Sequence, residues 1–408
     1  MSKSNETTPN VPTLRFAEFA EQWEQKTFDE TFSILSNNTL SRAELNYENG
    51  NYKNIHYGDV LIKFSAFIDV SSPEVPYIND ENSSSKLDNI LLQDGDIIIA
   101  DTAEDFTVGK ATEVENIDEI KVVSGLHTIP CRPKIKFSPR YLGYYVNSPA
   151  YHNQLIPFIQ GVKVSSISKT LIKKTFVSFP SLSEQTKIAD FLSCLDKKIE
   201  TQNKIISKYE TLIKGISNHL LCKIEDCPTI KLSDILIEYN DKARQNNEYP
   251  ILSSTMNGIF VQSEYFNKQA ASKETVGYKK VPYGYCTYRS MSDTGEFRFN
   301  IQKIVEIGIV SPAYPVFTSV EYDMRFIAFY LNNSARLRKQ ILEIKEGGTR
   351  FALPFSKLRS LTIPKITRLQ QTKIVDIYCL FSRKKELEQR FLLKLKEQKD
   401  YLLSKMFI

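Results

Sequence analysis

The sequence predicts an α+β protein: two globular α/β blocks, each followed by a long helix, with the two helices forming an antiparallel coiled coil. Three observations predict it. The segment starting at Pro180 recurs at Pro364, with Glu184-Gln185-Thr186-Lys187-Ile188-Ala189-Asp190 matched by Gln370-Gln371-Thr372-Lys373-Ile374-Val375-Asp376. Both segments continue with apolar residues at alternating steps of four and three. The blocks that precede them share landmarks in the same order, as a diverged tandem duplication requires.

Residues 1–23 open with a polar tail, followed by a short apolar segment of Leu14-Arg15-Phe16, Phe19 and Trp23, the only tryptophan. The first block spans 24–180. In it Gly95-Asp96-Ile97-Ile98-Ile99 reads as a turn entering a β-branched strand, and Tyr141 to Val146 reads as a short helix after Pro139. A helical segment covers 181–224. The second block, 225–363, repeats the plan. Lys231-Leu232-Ser233-Asp234 answers Lys26-Thr27-Phe28-Asp29, Gly284-Tyr285-Cys286-Thr287-Tyr288 answers Gly95 to Ile99, and Phe326 to Asn332 answers Tyr141 to Asn147. Gly161-Val162-Lys163 and Gly348-Thr349-Arg350 close the two blocks, and 364–408 is the second helical segment.

In the first helix Ile188, Leu192, Leu195, Ile199, Gln202, Ile206, Tyr209, Ile213, Ile216 and Leu220 keep a strict 4-3 spacing, apolar at every slot but Gln202. The second copy fills the same slots with Ile374, Tyr378, Phe381, Lys385, Glu388, Leu392, Leu395, Lys399, Leu402 and Met406, so three of its slots are charged. An unbroken period of 3.5 is the mark of a coiled-coil seam, narrower than the stripe of an ordinary amphipathic helix. At 1.5 Å per residue each helix runs about 60 Å. The simplest partner for each seam is the other copy, and a two-fold relation between duplicated halves makes the pair antiparallel.

Composition narrows the function classes. The 408 residues carry 53 basic and 48 acidic side chains, a net charge of +5 that permits a nucleic-acid partner without demanding one. Six cysteines without a CxxC pair read as reduced intracellular thiols and not as a zinc site. No apolar leader and no membrane-spanning run is present, so the expected location is the cytoplasm, with no membrane partner. The catalytic motifs are missing: four histidines form no HExxH, and there is no nucleophile elbow and no Walker loop. Ser311-Pro312-Ala313-Tyr314 echoes the loop with which amino-methyltransferases hold a flipped base, but it lacks the second proline and no Gly-rich cofactor turn accompanies it.

The duplicated P-x-x-x-EQ-x-KIADFL helix, the two α/β blocks and the LRF…F…W opening together resemble the specificity subunit of type I restriction-modification enzymes. GDIIIADTAEDFTVGKATE and YCTYRSMSDTGEFRFN look like two subtypes of that family's target-recognition domain. The resemblance implies a non-catalytic subunit whose two recognition domains each read one half of a split DNA target. It implies partners as well: double-stranded DNA, two DNA methyltransferase (modification) subunits docked on the coiled coil, and restriction (endonuclease/translocase) subunits. No cofactor is expected on this chain; S-adenosylmethionine, ATP and Mg are expected on the partner subunits. Two departures from the family pattern are Gln370 in place of Glu and Ala17 where the opening often has proline. The competing expectation is a coiled-coil scaffold whose two domains bind proteins without DNA sequence specificity.

Aligning Gly95 with Gly284 sets Ala100-Asp101-Thr102 against Arg289-Ser290-Met291. A carboxylate such as Asp101 can accept from a cytosine amino group, whereas an arginine such as Arg289 can grip guanine O6 and N7 together. Lys163 and Arg350, each after a glycine, are the cations expected at a phosphate or base. Arg298, Lys110 and Arg132 are further candidates, and Asp101 to Asp105 reads as an acidic loop and not a metal site.

Overall fold

The computed structural model describes residues 10–82, 85–105, 107–161, 164–265, 274–344 and 350–408. The chain divides into two units, residues 1–203 with 391–408, and residues 204–390. Each long helix contributes to both.

In chain order the first unit carries β1 (Glu24–Thr27), β2 (Phe32–Ile34), β3 (Phe67–Asp69), β4 (Ile97–Ala100), β5 (Thr102–Ala103), β6 (Ala111–Glu115), β7 (Thr128–Pro133), α1 (Tyr141–Val146), β8 (Ser165–Ser166), β9 (Phe176–Phe179) and the start of α2 (Leu182–Cys222). Its central sheet has the order β2-β7-β4-β6-β3, with β4 buried at all four positions. Isoleucine and alanine at every β4 position suit a strand covered on both faces. β1 pairs antiparallel with β9, which brings the two ends of the block together beside α2.

The second unit carries β10 (Thr229–Lys231), β11 (Ile237–Glu238), β12 (Cys286–Thr287), β13 (Met291–Ser292), β14 (Asn300–Ile301), β15 (Val316–Thr318), α3 (Met324–Asn333), β16 (Phe351–Ala352), β17 (Thr362–Pro364) and the start of α4 (Arg368–Lys405). Its central sheet has the order β11-β15-β12-β14, the first four strands of the other sheet over again, and β10 pairs with β17 as β1 does with β9. The expected alignment holds in the backbone. Gly95 and Gly284 both have φ +85°, and the step from each to β4 or β12, and on to β5 or β13, is the same. A side chain in that left-handed conformation is strained, which accounts for the glycines.

The units differ beyond these shared strands. The first adds a four-stranded sheet from Val122–Ser124, Lys53–Ile55, Tyr77–Ile78 and Leu45–Asn46. The second has instead a hairpin of Leu252–Thr255 with Gly258–Val261, and a pair of Lys279–Pro282 with Ile307–Val310.

The first core is aromatic: Tyr141, Tyr144, Tyr145 and Tyr151 are fully buried, and the Phe407 ring centroid lies 5.9 Å from those of both Tyr141 and Tyr145. Ile188, Leu192 and Leu195 of α2 and Leu395 and Leu402 of α4 complete that core. In the second unit Tyr288, Phe299, Phe317 and Phe326 pack with Leu220 and Leu221 of α2 and Ile374 and Val375 of α4.

All ten heptad slots of α2 and all ten of α4 are buried or half-buried, the charged ones included. Gln202 is 4% exposed. Lys399 Nζ lies 2.5 Å from Asp196 in the first unit, and Lys385 Nζ lies 3.8 Å from Glu210 in the second. Moving forward along α4 from one pair to the next means moving back along α2 by the same number of residues, which is antiparallel register. The two lysines therefore keep their heptad slots by laying the alkyl stem in the seam and giving the ammonium a carboxylate.

Among the described residues no helix is long and apolar enough to cross a membrane.

Candidate nucleic-acid interface

In each unit the strands that follow the shared glycine turn, Gly95 or Gly284, end at an exposed tip, where residues distant in sequence converge. In the first unit Asp101 follows β4 and Thr102 opens β5. Asp101 N–H donates to the His127 carbonyl at 3.1 Å, and the Thr102 hydroxyl donates to Asp101 Oδ1 at 2.8 Å. His127 Nδ1 stands 3.3 Å from Asp101 Oδ1. β8 pairs with β5, placing Ser165 and Ser166 beside the same tip. The Asp101 carboxylate is thus partly engaged, with a side chain 25% exposed. Asp105 accepts from the Thr107 hydroxyl and N–H, a local turn that holds its carboxyl below the ordinary range.

In the second unit the equivalent tip is rich in arginine. Arg289 is exposed after β12, and the Ser290 hydroxyl donates to the Ala313 carbonyl at 2.8 Å. Strand register makes Ala313 the counterpart of His127, so the Ser311 to Tyr314 loop that resembled a base-holding motif occupies the place of the His127 turn. Arg350 Nε donates to Asp293 Oδ1 at 2.8 Å, and both side chains are more than half exposed. Arg350 first and Arg289 second hold the Asp293 carboxyl below the usual range. Arg289, Asp293, Arg298 and Tyr314 line one cleft of about 410 Å³. Arg298 Nε is buried there without a hydrogen-bond partner among the described residues.

The other sequence candidates divide. Arg350, Arg289, Ser290 and Arg298 gather at the second tip; Asp101 forms the first. Lys110 does not join it: its ammonium donates to the Leu61 carbonyl at 2.8 Å and lines a separate cleft with Tyr144, His152 and Lys399. Burial first, and the neighbouring Lys399 second, lower its pKa. Arg132 is committed to Asp96, a carboxylate only 1% exposed, through two bonds of 2.9 and 2.7 Å, so it serves the sheet and not a tip. Lys163 lies outside the described residues. Gly161 before it has φ +104°, and a Cβ there would come within 2.0 Å of the Val164 carbonyl, so that turn demands glycine.

A joint that sequence reasoning missed ties each block to its long helix. Gln185 Oε1 accepts from Ser138 N–H at 2.9 Å while its Nε2 donates to the Pro180 carbonyl at 2.9 Å. Gln371 does the same, accepting from Asp323 N–H at 2.8 Å and donating to the Ile366 carbonyl at 3.0 Å. Both are almost fully buried. The glutamine shared by the two EQ elements therefore ties the start of α1 or α3 to the start of its long helix. Arg140 and Arg325 stand at equivalent places, Arg140 paired with Glu115 and Arg325 bridging Asp323 and Asp376. The position that differs between the two elements has split its role. Glu184, 1% exposed, takes two 2.7 Å bonds from Arg15 of the opening segment. Gln370 instead closes a reciprocal cap with Thr367.

Residues 20–211 match the model of a family described as a Type I restriction modification DNA specificity domain. A curated protein of Methanocaldococcus jannaschii, described as a type I restriction enzyme MjaX specificity subunit, is 26% identical over 219 residues. That alignment covers 52% of this chain and 49% of the relative, so the match spans about half the relative's length. Among solved structures, the S subunit of a type I restriction-modification system from M. genitalium matches 98% of this chain with 99% of its own, at TM-score 0.58 and 14% identity. A chain from work on complex assembly and conformational transition of the type I restriction-modification system matches over 93% of this chain and 96% of its own, at TM-score 0.56 and 13% identity. Residues 20–211 are thus similar to a type I restriction-modification specificity domain, and over nearly its whole length the chain has the fold of that M. genitalium subunit.

Proposed function

We propose that this chain is the DNA sequence-specificity subunit of a type I restriction-modification system, reading a bipartite target with one half-site per block. The observation that carries the reading is the pair of tips: the same strand ends, reached by the same glycine turn, present Asp101 in one unit and Arg289 with Arg350 in the other. Two copies of one frame that differ in charge within it, with Asp101 aligned to Ser290 and Ala100 to Arg289, suit two different sets of base edges. The chain itself performs no chemistry in this reading. S-adenosylmethionine, ATP and Mg²⁺ belong to the modification and restriction subunits, and the work is done on cytoplasmic DNA.

The helix pair is the docking element for modification subunits. At five of the ten positions that precede a seam slot, α4 carries a second, interrupted apolar stripe of Ile377, Leu380, Leu387, Phe391 and Tyr401, all exposed. Phe191 and Leu212 hold the same offset on α2 and are also exposed. Such a stripe suits partner helices.

Methylation mapping of cells with and without this chain, alongside the modification subunit, tests the reading. Loss of one bipartite motif is expected; an unchanged methylation pattern would sink it. Arg350→Ala is expected to abolish recognition of one half-site while subunit assembly persists, and unaltered specificity of the assembled complex refutes the assignment of that tip.

A further inference from the structure

His127 was not a candidate by sequence, yet the first tip is built around it. It has φ +54°, in the left-handed region that a non-glycine residue seldom occupies. The turn that imposes this conformation is tied down on every side. Asn38 N–H donates to the Ser124 carbonyl at 2.8 Å, Asn37 Nδ2 to the Gly125 carbonyl at 3.1 Å, and Asp101 N–H to the His127 carbonyl at 3.1 Å. Ser124 and Thr128 are fully buried, and their hydroxyls lie 2.6 Å apart. At the crest of this rigid turn the imidazole is 47% exposed. Its orientation is fixed as well. The Tyr57 ring stands edge-on to it at 5.3 Å, and Nδ1 faces Asp101 Oδ1 at 3.3 Å and the Thr102 hydroxyl at 3.4 Å. Nε2 has no hydrogen-bond partner among the described residues. Strain that the surroundings over-determine, ending in an outward polar atom, is the pattern of a pre-organised contact.

We propose that His127 is a specificity-determining residue of the first half-site, with Nε2 contacting a base edge in the major groove, and that Asp101 is its positioning residue. This rests on the reading of the chain as a DNA specificity subunit. The Thr102 hydroxyl gives its proton to Asp101, so its oxygen accepts from Nδ1–H, the Asp101 charge 3.3 Å away favours the same tautomer, and Nε2 of the neutral ring is left as an acceptor. The matching donor is the exocyclic amino group of adenine or cytosine. The second tip has no equivalent contact, because Ala313 holds the place of His127 and its carbonyl is taken by the Ser290 hydroxyl.

The test uses the full-length chain assembled with its modification subunit and duplexes bearing the mapped motif, each base pair replaced in turn. His127→Gly, which relieves the backbone strain, is expected to lower discrimination at one base pair of one half-site about tenfold. Discrimination at the other half-site is expected to stay within about twofold, and the melting temperature not to fall. His127→Asn, which tolerates the left-handed backbone, is expected to act at the same base pair, as is Asp101→Asn with a smaller loss. A duplex lacking the amino group at that position is expected to weaken binding by the natural protein and not by His127→Gly. Unchanged discrimination at both half-sites overturns the proposal, as does a loss of affinity spread evenly over all duplexes. So does a fall in melting temperature shared by His127→Gly and His127→Asn with discrimination intact. If the natural protein prefers no duplex at either half-site, the specificity reading itself fails, and that outcome is distinct from the others.

Discussion

The two units are alike at their joints and unlike at their tips. At the joints, Gln185 and Gln371 make the same pair of buried hydrogen bonds to the same backbone places, within 0.1 Å of each other. At the tips, the first unit has Asp101 beside His127, whereas the second has an arginine cluster around Asp293. Burial explains the contrast. A buried glutamine that caps two backbone groups has no substitute that satisfies both, so a change there strands a donor and an acceptor. An exposed tip residue has water as an alternative partner, so it can change without cost to the fold.

The largest expected effect tests the joints. Gln185→Leu and Gln371→Leu are each expected to cost about 2–4 kcal/mol, read from midpoints of urea unfolding, because each orphans a buried N–H and a buried C=O. Equal costs support equivalent joints; a cost confined to one copy breaks the comparison.

The two units should also answer pH in opposite directions. Glu113 accepts from the N–H groups of Arg140 and Gly143 at the start of α1, and burial pushes its carboxyl up to about 7. A carboxyl raised in the folded state binds its proton more tightly there, so its contribution is full below the ordinary glutamate value and is lost as pH rises through about 7. Asp323 caps α3. Burial pushes its carboxyl up, but the bonds from Arg325 outweigh that and hold it below the ordinary aspartate value. Its contribution is present above that ordinary value and is lost as pH falls through the depressed one. Hydrogen exchange, corrected for the intrinsic rate, should show α1 opening more readily as pH rises from about 5 to about 8 while α3 holds. Loosening of both helices together would end the contrast.

The smallest effects concern the charged seam slots. Lys385→Leu is expected to change stability by no more than about 1 kcal/mol in either direction, since Lys385 and Glu210 form a loose, partly exposed pair. Lys399→Leu is expected to cost about 1–2 kcal/mol, because Asp196 is tucked against Lys399 and Tyr144 and is left short of a partner. Thermal unfolding of the two variants side by side checks the order.

Much of the frame was legible. The 4-3 spacing marked the seam of both helices, even at Lys385, Glu388 and Lys399, where hydropathy alone would have placed those residues outside. Gly95 and Gly284 were readable as one turn made twice. The tips were legible only in part. Arg350 was singled out because it follows a glycine, but its partner Asp293 was invisible. Arg132 and Lys110 looked like free cations and are taken up by Asp96 and by the Leu61 carbonyl. His127 drew no attention, because neither its backbone conformation nor its neighbour Asp101 is encoded within a few residues of it.

The sequence by itself determined the duplication, the two long helices and their antiparallel seam, because each depends on a repeat or a period that short stretches of chain declare. Only the tertiary structure decided which polar groups meet. Asp101 reaches His127, Arg350 reaches Asp293, Arg15 reaches Glu184 and Gln185 reaches Ser138 through strand pairing and helix docking that join segments far apart in the chain. A side chain's availability to a ligand depends on what those pairings leave over, and no local pattern records the remainder.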